Sequence, residues 1–117
     1  MAKLKVMLAE DDPTMINLLK TLLTMEGFDV VALDAEDDVV NAVAEKSPDV
    51  LLLDVHLSHQ NGLEILDLIR KSMSASSVRI IMTSGLNVEE ECMMRGANGF
   101  ILKPFMPDEL IQILRGF

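Results

Sequence analysis

Asp54 closes an apolar run. The stretch Asp49 to Asp54 reads D-V-L-L-L-D, and Val50, Leu51, Leu52 and Leu53 show no polar alternation. Both faces of such a strand are expected to be buried. A carboxylate at its carboxyl end stands at the edge where open parallel α/β sheets bind ligands. Other strand-like runs end on polar groups too. Lys5 to Ala9 leads into Glu10-Asp11-Asp12, Val78 to Thr83 into Ser84-Gly85, and Phe100 to Leu102 into Lys103-Pro104. If these strands are parallel neighbours, Glu10, Asp11, Asp54, Thr83 and Lys103 converge. Crowded carboxylates repel one another and lose hydration. A hard divalent cation relieves this, and Mg²⁺ takes few carboxylates while keeping several waters. Lys103 adds a compact positive charge and Thr83 a hydroxyl donor. Such a set suits phosphoryl transfer to a carboxylate, with Asp54 as nucleophile. Mg²⁺, the Lys103 ammonium and the Thr83 hydroxyl can each take one oxygen of the transferring group.

The elements that must position these groups alternate along the chain. After the first strand, Asp12 caps a helix with Pro13 in its first turn. Its apolar positions are Met15, Leu18, Leu19, Leu22 and Leu23, and Gly27 ends it. Phe28 to Leu33 reads as a second strand. Asp34 is the expected cap of a second helix carrying Val39, Val40 and Val43, which Ser47-Pro48 ends. Val50 to Leu53 is the third strand, and Val55 to Asn61 a loop. Leu63, Ile65, Leu66 and Ile69 mark a third helix, and Ser72 to Ser77 a turn. After the fourth strand, Asn87 is the expected cap of a fourth helix whose first turn carries Glu89, Glu90 and Glu91. Pro107 to Leu114 is the last helix. Strands alternating with helices imply a parallel sheet covered on both faces. Strand order is not fixed by spacing alone.

The 117 residues fit one domain, 1–117. Half of them are hydrophobic, with neither Trp nor Tyr, so aliphatic residues and Met must fill the core. The formal net charge of -9 argues against direct nucleic-acid binding and against an anionic membrane surface. The single cysteine, Cys92, cannot form an internal disulfide and is expected to pack against the sheet. With neither a signal-peptide pattern nor a membrane-length apolar run, the expected compartment is the cytoplasm.

Taken in order, these motifs resemble the receiver domain of two-component response regulators. The carriers are Glu10-Asp11, Asp54, Thr83-Ser84-Gly85 and Lys103-Pro104-Phe105, with Gly62 and Gly96-Ala97-Asn98-Gly99-Phe100 at matching places. The resemblance covers essentially the whole chain. It implies a flavodoxin-like (βα)5 sandwich with strand order 2-1-3-4-5. It also implies that Asp54 accepts a phosphoryl group from a phosphohistidine on a sensor histidine kinase or phosphotransfer protein. Asp11 is then a direct Mg²⁺ ligand, Glu10 a ligand through water, and the His56 backbone carbonyl a further ligand. Thr83 and Phe100 become the switch pair, Lys103 bridges to the phosphoryl group, and Lys103-Pro104 is a cis peptide. The face made by the fourth helix, fifth strand and last helix, with Met93, Met94, Arg95, Phe100 and Met106, becomes a surface for an output partner or a second copy. The remaining Met residues at helical spacing are read as core.

The chain departs from the family pattern in places. The loop after the acceptor reads Leu57-Ser58 and Asn61-Gly62 where the family often has Met-Pro and Asp-Gly, and the switch aromatic is Phe rather than Tyr. His56 and Gly85 stand at the positions whose side chains border the phosphoryl group in that family. His56 and His59 otherwise read as loop residues. No DNA-binding segment is read, and the last helix closes near Phe117, early for the family, compatible with an amino-terminal piece of a longer regulator. Three other readings stand beside this one. A flavin- or nucleotide-binding module is disfavoured by Glu10-Asp11-Asp12, which would repel a phosphate. An aspartyl-phosphate hydrolase wants a second Asp where His56 stands. A degenerate receiver would act as a docking module without phosphorylation.

Overall fold

The computed structural model describes residues 3–72 and 77–117. Residues 73–76 of the turn expected at Ser72 to Ser77 lie outside the described residues. The strands are β1 (Lys5–Ala9), β2 (Asp29–Ala32), β3 (Val50–Asp54), β4 (Arg79–Ser84) and β5 (Gly99–Leu102). Between and after them run α1 (Pro13–Met25), α2 (Val39–Lys46), α3 (Gly62–Lys71), α4 (Glu89–Met94) and α5 (Pro107–Arg115). Every strand pairing is parallel, and the sheet order is β2-β1-β3-β4-β5. This is the flavodoxin-like order.

Successive side chains of a strand point to opposite faces. Met7, Ala9, Leu51, Leu53, Ile80 and Met82 therefore pack with Val39, Val43, Ile65, Leu66, Ile69 and Cys92 of α2, α3 and α4. Val6, Leu8, Val50, Leu52 and Ile81 pack with Leu19, Leu23, Leu110 and Leu114 of α1 and α5. Burial of both faces explains the unbroken apolar run of β3. Cys92 is fully buried, as its small apolar character requires.

Some local expectations are corrected. The cap of α2 is Asp38, whose carboxylate accepts from Asn41 N, while Asp34 joins a turn in which Asp37 Oδ2 accepts from Asp34 N. Val88 stands at the N-cap position of α4, although Asn87 Oδ1 accepts from Glu89 N at 3.3 Å. β4 runs one residue later than expected, to Ser84, and β2 is shorter than Phe28 to Leu33. Leu18 and Met25 are exposed because α1 meets the sheet through Leu19 and Leu23. Among the described residues the fully buried methionines are the strand residues Met7 and Met82, while Met15 of α1 is half-buried against the core.

Two arginines fasten α3 to its surroundings. From α3, Arg70 donates to the carbonyls of Gly96 and Val78 and to Asn98 Oδ1, at 2.8, 2.6 and 2.7 Å. Asn98 Oδ1 also accepts from Ile80 N. At the end of α4, Arg95 pairs with Asp67 of α3 at 3.0 Å. Among the described residues no helix is long and apolar enough to cross a membrane.

Candidate functional site

Parallel strands bring their carboxyl ends to one edge, and there the polar groups meet. Asp54 is the last residue of β3 and lies opposite Thr83 of β4 in the register. Glu10, directly after β1, and Asp54 are both buried. Lys103, directly after β5, reaches back to them. Its Nζ donates to Glu10 Oε1 at 2.5 Å and to Asp54 Oδ2 at 2.6 Å. The other Asp54 oxygen accepts from His56 N at 2.9 Å. Backbone bonds hold the frame, with Val55 N donating to Thr83 O and Lys103 N to Ser84 O. The Lys103-Pro104 peptide is cis.

The loop after β3 is fastened at several points. Ser58 donates both its backbone N–H and its hydroxyl to Asp11 Oδ2. Gln60 Nε2 donates to Asp37 O at 2.9 Å. His56 and Asn61 form a bridge pair across the loop, and Asn61 Oδ1 caps α3 by accepting from Leu63 N and Glu64 N. Gly62 opens α3 against the backbone of Asp54. A Cβ there would lie 2.2 Å from Asp54 O and 2.7 Å from Val55 Cα, so only glycine fits. The imidazole of His56 is on an exposed residue.

The electrostatics follow from burial and from the shared ammonium. Burial first, then the hydrogen bond with Asp54, raises the Glu10 carboxyl to about 7. Burial would raise Asp54 as well, but its bonds to Glu10, to Lys103 and to His56 N outweigh this and hold it below the ordinary aspartate value. Burial would lower Lys103, and the bonds to Asp54 and Glu10 reverse that and raise it. Asp54 is thus the ionised carboxylate, and Lys103 remains charged.

The Thr83 hydroxyl is buried and, among the described residues, has no hydrogen-bond partner. An orphaned buried donor carries a free-energy cost, which an added acceptor would remove. Among the described residues no three His, Cys, Asp or Glu side chains are arranged to hold a metal ion by themselves. In this arrangement the Lys103 ammonium stands between Glu10 and Asp54, bonded to both. The available donors are nonetheless all oxygen, from the carboxylates of Glu10, Asp11 and Asp54 and a nearby loop backbone. That fits a hard cation that retains waters, as Mg²⁺ does.

Phe100 of β5 is half-buried against the α2-α3-α4 face and pairs in register with Met82. Asp12 caps α1, its carboxylate accepting from Thr14 N. Around α4, β5 and α5, Met93, Met94, Leu102 and Met106 are exposed. Sequence reasoning passed over Arg70 and saw Ser58 only as a missing proline. Nothing in the order of residues places Ser58 on Asp11.

The profile of the response regulator receiver domain matches residues 6–115. The chain belongs to the response regulator receiver domain family. It is 33% identical over 115 residues to the transcriptional regulatory protein TrcR of Mycobacterium tuberculosis, covering 97% of this chain and 44% of that protein. It is 30% identical over 114 residues to the DNA-binding response regulator MtrA of Mycolicibacterium smegmatis, covering 95% of this chain and 49% of that one. The chain thus spans about half or less of these relatives. In structure it is similar to the receiver domain of the sensor histidine kinase PA1611 of Pseudomonas aeruginosa, which was solved with a magnesium ion coordinated in its active-site cleft. That match has a TM-score of 0.84 and 27% identity, covering 98% of this chain and 97% of the other.

Proposed function

We propose that residues 1–117 form one receiver domain that stores a signal as phospho-Asp54. The observation that carries this reading is the meeting of Lys103 with Asp54 and Glu10, opposite the unpartnered hydroxyl of Thr83. Asp54 is held ionised, as a nucleophile toward phosphorus must be. Its carboxylate oxygen attacks the phosphorus of a phosphohistidine. The P–N bond breaks as the P–O bond forms, and the imidazole leaves.

Asp11, Asp54 and the His56 carbonyl would hold Mg²⁺, with Glu10 acting through water. When bound, the cation supplies charge neutralisation at the phosphoryl oxygens. Lys103 moves its hydrogen bond from the carboxylate to a phosphoryl oxygen, and Thr83 donates its hydroxyl to another. As Thr83 shifts, Phe100 turns further inward and the α4-β5-α5 face repacks. The exposed Met93, Met94, Leu102 and Met106 make that face the docking surface for a second copy or an output protein. The donor is a sensor histidine kinase or histidine phosphotransfer protein in the cytoplasm. The domain is a signalling element whose only chemistry is on itself. The net charge of -9 leaves nucleic-acid contact to other segments.

The test is incubation with acetyl phosphate and Mg²⁺, followed by mass spectrometry of the intact chain. One phosphoryl adduct is expected, lost in Asp54→Asn. Absence of any adduct would favour a docking module that works without phosphorylation.

A further inference from the structure

The two donors of Ser58 fall on one oxygen of Asp11, Oδ2. Among the described residues Asp11 Oδ1 accepts no hydrogen bond. A carboxylate held by two donors on one oxygen has a fixed plane and presents its other oxygen. The same contact joins two loops: Asp11 follows β1, while Ser58 lies two residues beyond His56 in the loop after β3. We propose that Ser58 is a positioning residue for the cation site, orienting Asp11 and seating the His56 segment before the metal arrives. This rests on the phospho-acceptor reading and deepens it.

Donors to a ligating carboxylate characteristically change metal affinity without touching the metal. The loop has a second, independent anchor in Gln60, whose side chain bonds Asp37 O. It is therefore not expected to unfold when Ser58 is shortened. This separates orientation of Asp11 from simple tethering of the loop.

The experiment is a Mg²⁺ titration of the unphosphorylated full chain, followed calorimetrically and by amide shifts. Wild type is expected to bind. Ser58→Ala, which keeps the N–H and loses the hydroxyl, is expected to weaken Mg²⁺ binding about 10-fold. Ser58→Thr keeps both donors and is expected to bind with wild-type affinity. Gln60→Ala is expected to leave the affinity unchanged. In metal-free protein, Ser58→Ala is also expected to speed amide exchange from His56 to Asn61. Wild-type or tighter binding by Ser58→Ala would overturn the proposal alone. Equal weakening by Gln60→Ala would reduce Ser58 to a tether and overturn it as well. Failure of the wild type to bind Mg²⁺ would instead remove the phospho-acceptor reading beneath it.

Discussion

Lys103 and Asp54 are 49 residues apart in the chain and 2.6 Å apart in space. The same ammonium bonds Glu10, so one cation holds two buried carboxylates together. Lys103→Ala is expected to leave them facing each other without compensation. Lys103 is partly exposed, which moderates the loss to about 1–3 kcal/mol at neutral pH. Urea denaturation of the metal-free protein measures it, and an unchanged midpoint would show that the ion pair contributes nothing.

The pH dependence of that pair has a definite sign. Glu10 titrates near 7 in the folded chain against an ordinary value of 4.5. Between those values the folded state holds a proton that the unfolded state has released. Stability from Glu10 therefore falls as pH rises through that window. The cost is about 3 kcal/mol or less. Asp54, held low, contributes in the opposite sense, its stabilisation being lost as pH falls below 3.8 toward its folded value. Glu10→Gln is expected to flatten the decline between pH 4.5 and 7 in metal-free denaturation curves.

Thr83 separates resting stability from response. Its hydroxyl is buried without a partner, so Thr83→Val is expected to leave resting stability unchanged or raise it by up to about 1 kcal/mol. With beryllofluoride and Mg²⁺, the wild type is expected to show amide shifts from Thr83 to Phe100. Thr83→Val is expected to confine them to the acidic end. Full propagation in that variant would place the switch elsewhere.

Gly62→Ala is expected to destabilise the fold by about 1–3 kcal/mol, because the new methyl meets backbone rather than a side chain that can swing away. Thermal denaturation checks the magnitude. Faster amide exchange at Val55 and Gly62 would locate the damage, since Gly62 N donates to Val55 O.

Much of this arrangement was legible in the residues. The run Val50 to Leu53 announced a strand buried on both faces, and the polar residues after β1, β3, β4 and β5 announced a shared edge. The strand order came from the family resemblance, since parallel crossovers of similar length permit several orders. What remained hidden depended on tertiary contact. Asp34 and Asp38 are chemically equivalent as caps, and only the turn at Asp34 to Asp37 decides between them. Leu18 fits a helical stripe as well as Leu19, and the direction in which α1 leans decides which is covered. The bonds from Ser58 to Asp11 and from Arg70 to Gly96 join segments with no local pattern to betray them.

The corner that Arg70 and Arg95 build has a mechanical outcome. Both fasten the region where α4 ends: Arg95 to Asp67, and Arg70 to the Gly96 carbonyl just beyond. At the opposite tip Val88 itself offers no capping side chain, and Asn87 Oδ1 accepts from Glu89 N at 3.3 Å. A rod clamped by charged side chains at one extremity and by a single 3.3 Å side-chain bond at the other would pivot about the clamped end. A displacement at the acidic edge would then be magnified along Glu89 to Met94 and leave the hinge at Gly96 in place.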